Sequence, residues 1–146
     1  REGFLTAMDV SCWSFLDLAR RSETLMRDGG TMITMSYLGA NEVVDNYGIM
    51  GPVKAALESC VRYLATELGP KGIRVHAVSP GPLATRAASG IRDFDELMAT
   101  VSSRAPAGRL VTIEEVGAAC VFLSCPYGAA MTGETLYIDG GYHILG

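Results

Sequence analysis

The sequence predicts an α/β fold, a parallel sheet with helices on both faces, on three observations. Two short segments lie between glycine- and proline-bearing turns: 31–35, apolar and with the character of a buried parallel strand, and 73–79, which reads as the next strand. Between them runs a long stretch of helical periodicity, so strand, helix and strand form the crossover unit that joins parallel neighbours. No repeat, low-complexity tract or linker interrupts the 146 residues, which read as one domain.

In chain order, a first helix is predicted over 9–27, where Val10, Trp13, Phe15, Leu16, Leu18, Ala19 and Leu25 recur on one broad face before Asp28-Gly29-Gly30 stops it. The strand at 31–35 follows, and Tyr37 emerges at its carboxyl end, where open α/β sheets place their ligands. A second helix is predicted from near Asn46 to Leu68, ended by Gly69-Pro70. Its small residues Gly48, Gly51, Ala55 and Ala56 allow close backbone approach to a cofactor or a neighbouring helix. After the turn at Lys71-Gly72 comes the strand at 73–79, which Ser79-Pro80-Gly81-Pro82 ends because two prolines remove two amide donors. Residues 86–104 read as a mobile loop and short helix over a pocket. Thr112-Ile113-Glu114-Glu115 has the form of a capping box opening a buried helix at 116–123. A last strand at 135–139 closes on Gly140-Gly141.

Composition excludes several function classes. A net charge of −4 and a pI near 5.1 leave no basic footprint, which argues against nucleic acid as a partner. Hydrophobic content of 49% suits a well-buried domain, yet no apolar run approaches the roughly 18–20 residues that span a bilayer. A soluble, cytoplasmic protein is expected. Cys12, Cys60, Cys120 and Cys125 have neither CxxC nor Cys/His metal spacing, so no metal is expected and all four read as small buried hydrophobes.

The chemistry concentrates in Asn46-Tyr47-Gly48-Ile49-Met50-Gly51-Pro52-Val53-Lys54. If the segment from Tyr47 is helical, its separation of seven from Lys54 is close to two turns, and the hydroxyl and ammonium share a face. A nearby lysine favours tyrosinate and lowers the phenol's pKa, making Tyr47 a better proton donor or oxyanion partner.

These residues carry a resemblance. Ser36-Tyr37-Leu38-Gly39-Ala40, Asn46-Tyr47, Met50-Gly51 and Lys54-Ala55-Ala56-Leu57-Glu58 resemble the bacterial enoyl-acyl-carrier-protein reductases, a divergent branch of the short-chain dehydrogenase/reductase superfamily. Ordinary members place lysine four residues after the catalytic tyrosine and a serine twelve or thirteen before it. Here those positions are Gly51, Met35 and Thr34, while Tyr37 matches the branch's second tyrosine. Ser79-Pro80-Gly81-Pro82-Leu83-Ala84-Thr85, then Ala87-Ala88-Ser89-Gly90-Ile91, Pro106 through Arg109, Thr112 to Val116 and Asp139-Gly140-Gly141-Tyr142 extend the similarity over nearly the whole chain.

The resemblance implies a doubly wound Rossmann-like sheet and reduction of the 2,3 double bond of an enoyl thioester in fatty acid biosynthesis. It implies NADH as cofactor, with NADPH open, and catalytic roles for Tyr47, Lys54 and Tyr37. Tyr47, Lys54, Gly81, Pro82, Leu83 and Thr85 are the implied cofactor contacts, and Tyr37, Met50, Ala87, Ala88, Ile91 and Phe94 the implied substrate contacts. Partners implied are an acyl carrier protein and further copies of the chain in a tetramer. Ala84 stands where relatives often have arginine, and Arg92-Asp93-Phe94-Asp95-Glu96 is acidic where an acidic carrier would want basic residues, so a coenzyme A thioester stays open. The 146 residues are read as the C-terminal part of one such domain, without the glycine-rich half that grips adenine and phosphate. The isolated chain is accordingly expected to be inactive. An ordinary short-chain reductase of ketones or alcohols, such as a 3-oxoacyl reductase, or a non-catalytic fragment, remain the alternatives.

Overall fold

A computed structural model describes residues 1–83, 85 and 93–145. Three parallel strands, β1 (Gly30–Met35), β2 (Ile73–Pro80) and β3 (Thr135–Ile138), lie in spatial order β1-β2-β3. Gly30 pairs with Ile73 and Met35 with Val78, and Ala77 through Pro80 pair with Thr135 through Ile138. The parallel crossover read from the sequence is therefore the architecture found. Helices α1 (Glu2–Met8) and α2 (Ser14–Ser22) precede the sheet, α3 (Met50–Leu68) joins β1 to β2, and α4 (Phe94–Arg104) and α5 (Ile113–Ser124) join β2 to β3.

Alternation along β2 decides which helix covers which face. Ile73, Val75 and Ala77 join Val53, Leu57, Val61, Ala65 and Leu68 of α3, with Phe15 and Ala19 of α2, in the larger core. Val78 points the other way and packs with Val116 and Leu123 of α5. Each Val, Leu, Ile or Phe side chain among them contributes about 1.5–3 kcal/mol when taken from water, before entropy is subtracted.

Three expectations need correction. The first helix begins at Glu2, and 9–13 is a π-helical segment (Asp9–Trp13) joining α1 to α2; one extra residue per turn is invisible to a 3.6-residue pattern. The helix carrying Lys54 begins at Met50 and not near Asn46, because Asn46 and Gly48 adopt φ of 60° and 56°, in the left-handed region that a right-handed helix excludes. Of the four cysteines only Cys12 is buried; Cys60, Cys120 and Cys125 are part-exposed, and all four are free thiols. Cys60 lies on α3, where its sulfur stands 3.8 Å from that of Cys12.

The capping box is present as read. Thr112 Oγ1 accepts from the Glu115 amide at 3.2 Å, and Glu115 Oε2 accepts from the Thr112 amide at 2.9 Å. At the other end of α5, Arg74 of β2 donates to the carbonyls of Leu123 at 2.5 Å, Gly128 at 2.8 Å and Ser124 at 3.4 Å, so the helix end is closed by a guanidinium. β2 does stop where the prolines stand, with a last ladder bond from the Gly81 amide to the Ile138 carbonyl at 2.8 Å.

Candidate active site

The carboxyl end of β1 is where the chemistry gathers. The Ser36 amide extends the ladder with a 2.8 Å bond to the Val78 carbonyl, and Tyr37 continues in extended conformation before a 3-10 turn at Leu38–Ala40. The loop from Asn41 then brings Tyr47 back, so that the Tyr37 and Tyr47 rings meet edge to face, centroids 5.0 Å apart at 61°. Two glycines make this approach possible. A Cβ on Gly39 would stand 2.4 Å from Cδ1 of Tyr47, and one on Gly51 would stand 2.9 Å from the Gly39 carbonyl oxygen.

Tyr47 thus sits in the turn before α3, and the two-turn helical spacing to Lys54 is not what positions it. No hydrogen bond joins their side chains among the described residues. Lys54 instead donates to the Met35 carbonyl at 2.8 Å and lines a groove between α2 and β1 with Ser14, Phe15, Asp17, Leu18 and Thr34. Tyr37 opens onto a separate cleft of about 540 Å³ whose walls include Leu38, Glu42, Leu97, Thr100 and Tyr142. The two tyrosines therefore meet just beyond the end of β1, whereas Lys54 is anchored on the strand's last carbonyl and lines a different groove from Tyr37.

The electrostatics correct a second expectation. Burial and then the neighbouring Tyr37 push the Tyr47 phenol up to about 12; Lys54 does not lower it. Burial and then Tyr142 likewise push Tyr37 up to about 12. Both phenols hold their protons through neutral pH, as hydrogen-bond donors require. Burial lowers the Lys54 ammonium below the usual lysine range, with Cys12 and Glu58 acting in the opposite direction.

The remaining residues implied by the resemblance fall as follows. Gly81 and Pro82 are buried at the exit of β2, and Leu83 packs against the Val78, Val116 and Leu123 cluster. The Thr85 amide turns back to the Leu83 carbonyl at 2.7 Å. Met50 packs against the larger core as the first residue of α3, and Phe94 opens α4, whose Glu96, Leu97 and Thr100 form the cleft wall. Ala84, Ala87, Ala88, Ile91 and Arg92 lie outside the described residues.

Sequence reasoning assigned no role to the polar groups behind the tyrosines. Glu58, 5% exposed, accepts from Ser36 Oγ at 2.5 Å and from Asn41 Nδ2 at 3.1 Å, and Asn41 donates its second amide hydrogen to the Tyr137 hydroxyl at 2.9 Å. The signal was there to read: Glu58 follows Leu57 and precedes Val61 on the inward side of α3, where a carboxylate must have partners. Tyr142, on the cleft wall, has the Arg104 guanidinium over its ring at 5.7 Å.

Residues 1–143 match the family described as Enoyl-(Acyl carrier protein) reductase. The chain is 46% identical over 146 residues to the enoyl-acyl-carrier-protein reductase (NADH) of Bacillus cereus, covering 100% of this chain and 57% of that protein. To that of Escherichia coli it is 44% identical over 144 residues, covering 99% and 55%. The crystal structure of the Bacillus cereus reductase with NADP+ and indole naphthyridinone superposes with a TM-score of 0.98 at 46% identity, over 100% of this chain and 57% of that one. The reductase of Anaplasma phagocytophilum in complex with NAD gives 0.91 at 43%, over 98% and 52%. The chain thus spans about half the length of the curated relatives it matches, and corresponds to their C-terminal portion. It belongs to the enoyl-acyl-carrier-protein reductase family, whose parallel α/β architecture it shares.

Proposed function

We propose that these 146 residues carry the catalytic tyrosines and lysine of an NADH-dependent reductase acting on the 2,3 double bond of an enoyl thioester in fatty acid biosynthesis. The observation that carries this reading is the protonated Tyr37–Tyr47 pair, in edge-to-face contact at the carboxyl end of β1 beside a cleft of about 540 Å³. That volume is in the range of small-molecule sites, about 300–1,000 Å³.

The donor chemistry of Lys54 fits a nicotinamide nucleotide: one ammonium hydrogen goes to the Met35 carbonyl, leaving two for vicinal ribose hydroxyls. Gly81, Pro82, the Leu83 backbone and Thr85 would complete the cofactor contacts. When bound, the nicotinamide supplies a hydride to the substrate's β carbon. Negative charge then develops on the thioester oxygen, and Tyr47 donates its phenolic hydrogen bond to that oxygen, an aid worth about 2.7–4 kcal/mol per well-placed donor. Tyr37 lines the acyl side as a second donor or wall. Lys54 orients the ribose and adds positive charge near the developing enolate. Ala87, Ala88, Ile91, Met50 and Phe94 are the proposed acyl contacts.

The names of the relatives favour NADH, while one relative was crystallised with NADP+. The carrier-protein thioester is proposed on the relatives' names alone, in a cytoplasmic setting. No described helix is long and apolar enough to cross a membrane. Exposed Phe4, Leu5, Val10, Trp13 and Leu18 on the first helices support burial of that face against the rest of a subunit or further copies, a tetramer in the proposed form. The outer edge of β1 has no strand beside it among the described residues, which supports the expectation that the isolated chain has no turnover.

The test is a chimera in which this chain replaces the matching part of the Bacillus cereus relative, assayed for loss of reduced-nicotinamide absorbance with a crotonyl thioester. Turnover of the enoyl thioester that Tyr47→Phe abolishes with little change in cofactor affinity, while Lys54→Ala weakens cofactor binding, is expected. Reduction of a 3-oxoacyl thioester with none of the enoyl thioester overturns the reading in favour of an ordinary short-chain reductase.

A further inference from the structure

Lys54 and Glu58 lie four residues apart on α3 and so face the same way. They take hold of consecutive residues at the end of β1: Lys54 the carbonyl of Met35 at 2.8 Å, Glu58 the hydroxyl of Ser36 at 2.5 Å. Tyr37 is the next residue. Its chain therefore leaves a point fixed on two sides, through the Ser36 amide to β2 and through the Ser36 side chain to α3. The second oxygen of Glu58 holds Asn41, which begins the loop that returns Tyr47. Each oxygen of one carboxylate thus fixes the approach to one of the two tyrosines.

A purely structural tie does not need a charge. Glu58 is 5% exposed, and no ion pair forms with it among the described residues. A buried carboxylate without a salt-bridge partner is costly, and a neutral amide would keep contact with both groups at lower cost, accepting from Asn41 and donating to Ser36 Oγ. The cation that its charge does reach is Lys54. The other groups around Lys54 leave Glu58 as the standing negative charge. Cys12, from the π-helical segment, is pushed up to about 11 by burial and by Cys60, so it is a neutral thiol until strongly alkaline pH. Asp17, across the groove on α2, is already paired with Arg20 at 2.8 Å and Arg21 at 2.6 Å. From β1 the ammonium meets only the Met35 carbonyl. On the far side of Glu58, Tyr137 of β3 faces the carboxylate through Asn41.

We propose that Glu58 is a positioning residue of the site, fixing through Ser36 and Asn41 the segments that present Tyr37 and Tyr47, and stabilising by its charge the ammonium of Lys54 one turn earlier. The proposal rests on the reductase reading for its purpose, but its test does not depend on turnover.

The chain contains two lysines, Lys54 and Lys71, so selective ¹³Cε-lysine labelling gives two resonances. Lys71, paired with Glu23 on the surface, is the internal reference. Glu58→Gln keeps the shape and removes the charge. Because an opposite charge holds a lysine protonated to higher pH, removing it lowers the midpoint of Lys54, read against the Lys71 resonance. Ser36→Ala keeps the charge and removes one tie: the Lys54 midpoint stays, and the nuclear Overhauser contact between the Tyr37 and Tyr47 rings weakens. An unmoved Lys54 midpoint in a folded Glu58→Gln chain overturns the proposal. If that variant does not fold, Glu58→Asp decides, since it retains the charge but shortens the reach. It should weaken the ring contact with little change at Lys54, and an unaltered ring contact there overturns the positioning role. Absence of enoyl reduction in the chimera, with the Lys54 shift observed, defeats the reductase reading and leaves this one standing.

Discussion

Replacing Gly39 by alanine is the sharpest perturbation of the tyrosine pair, because the new methyl group has nowhere to go. It would stand 2.4 Å from Cδ1 and 2.7 Å from Cε1 of Tyr47, where carbon atoms normally rest about 3.5–4.0 Å apart. Relief requires the ring to retreat by about 1 Å, off its contact with Tyr37 at 5.0 Å. The backbone itself does not object: Gly39 lies in a 3-10 turn and is not among the residues with left-handed φ. Alanine there even gains about 0.4–1 kcal/mol by restricting the unfolded chain. Against this stand about 1–3 kcal/mol for forced packing and about 0.5–1.5 kcal/mol for the lost edge-to-face contact. The net expectation is a loss of about 1–3 kcal/mol. If Tyr47 has the proposed role, its displacement by about 1 Å costs on the order of 100-fold in turnover. Urea unfolding of the chain gives the first number, the Tyr37–Tyr47 ring contact by NMR the displacement, and the chimera assay the third. A Gly39→Ala chain with wild-type stability and an intact ring contact would refute the claim that Tyr47 is seated on Gly39.

Other consequences are more local. Arg74→Met should uncap the end of α5, with a loss of at least about 1.5–3 kcal/mol, the worth of a single hydrogen bond from a charged donor, and faster amide exchange in the last turn of α5. Glu115 is held down to about 2 by the Arg109 guanidinium and the Thr112 amide, below its ordinary value near 4.5. A depressed carboxylate contributes stability that is full above its unfolded value and lost as pH falls through the folded one. The start of α5 should therefore fray between about pH 4.5 and 2, read by amide exchange at Val116, and Glu115→Gln should weaken that dependence, with Glu114, also lowered by its hydrogen bonds, carrying the rest. Tyr37→Phe in the chimera separates two roles: loss of turnover marks a donor, and loss confined to KM for the thioester marks a wall.

Strands were legible in the sequence because short, largely apolar segments stand between turn residues, as at 31–35 and 73–79. Helix α5 was legible because its cap is a local device, with Thr112 and Glu115 three residues apart. The start of α3 was not. Nothing local forces Asn46 and Gly48 into left-handed conformation; the Tyr47 ring needs the surface of Gly39, which is a tertiary demand. That same turn broke the inference from the Tyr47–Lys54 spacing, since their separation of seven does not span two turns of one helix. The pKa of Tyr47 was misread for a related reason: charge was counted and burial was not. Tyr47 and Lys54 were singled out by their spacing, Tyr37 by its place at a strand end, and their roles were taken from the resemblance, whereas Glu58 was passed over although its sequence position between inward-facing Leu57 and Val61 marked it as a buried carboxylate.

A common logic joins the two ends of the sheet. At the amino end the polar groups close on the fold itself, Arg74 on the carbonyls that end α5 and the Gly30 amide on the Gly72 carbonyl. At the carboxyl end two buried carboxylates, Glu58 and Asp139, each fix the backbone next to a tyrosine of the cleft wall. Glu58 does this for Tyr37 through Ser36. Asp139 accepts from the amides of Gly141 at 2.9 Å and His143 at 2.8 Å, and lies 3.0 Å from the His143 imidazole, which holds the turn that presents Tyr142. The imidazole in turn stacks on Tyr137 at 4.1 Å, and Tyr137 meets Asn41, so the two carboxylates belong to one connected set. Hydrogen-bonded buried carboxylates are costly to assemble and rigid once satisfied. In the proposed reaction that rigidity has a use, because a phenol that meets a developing charge acts only if its position is settled before the charge appears.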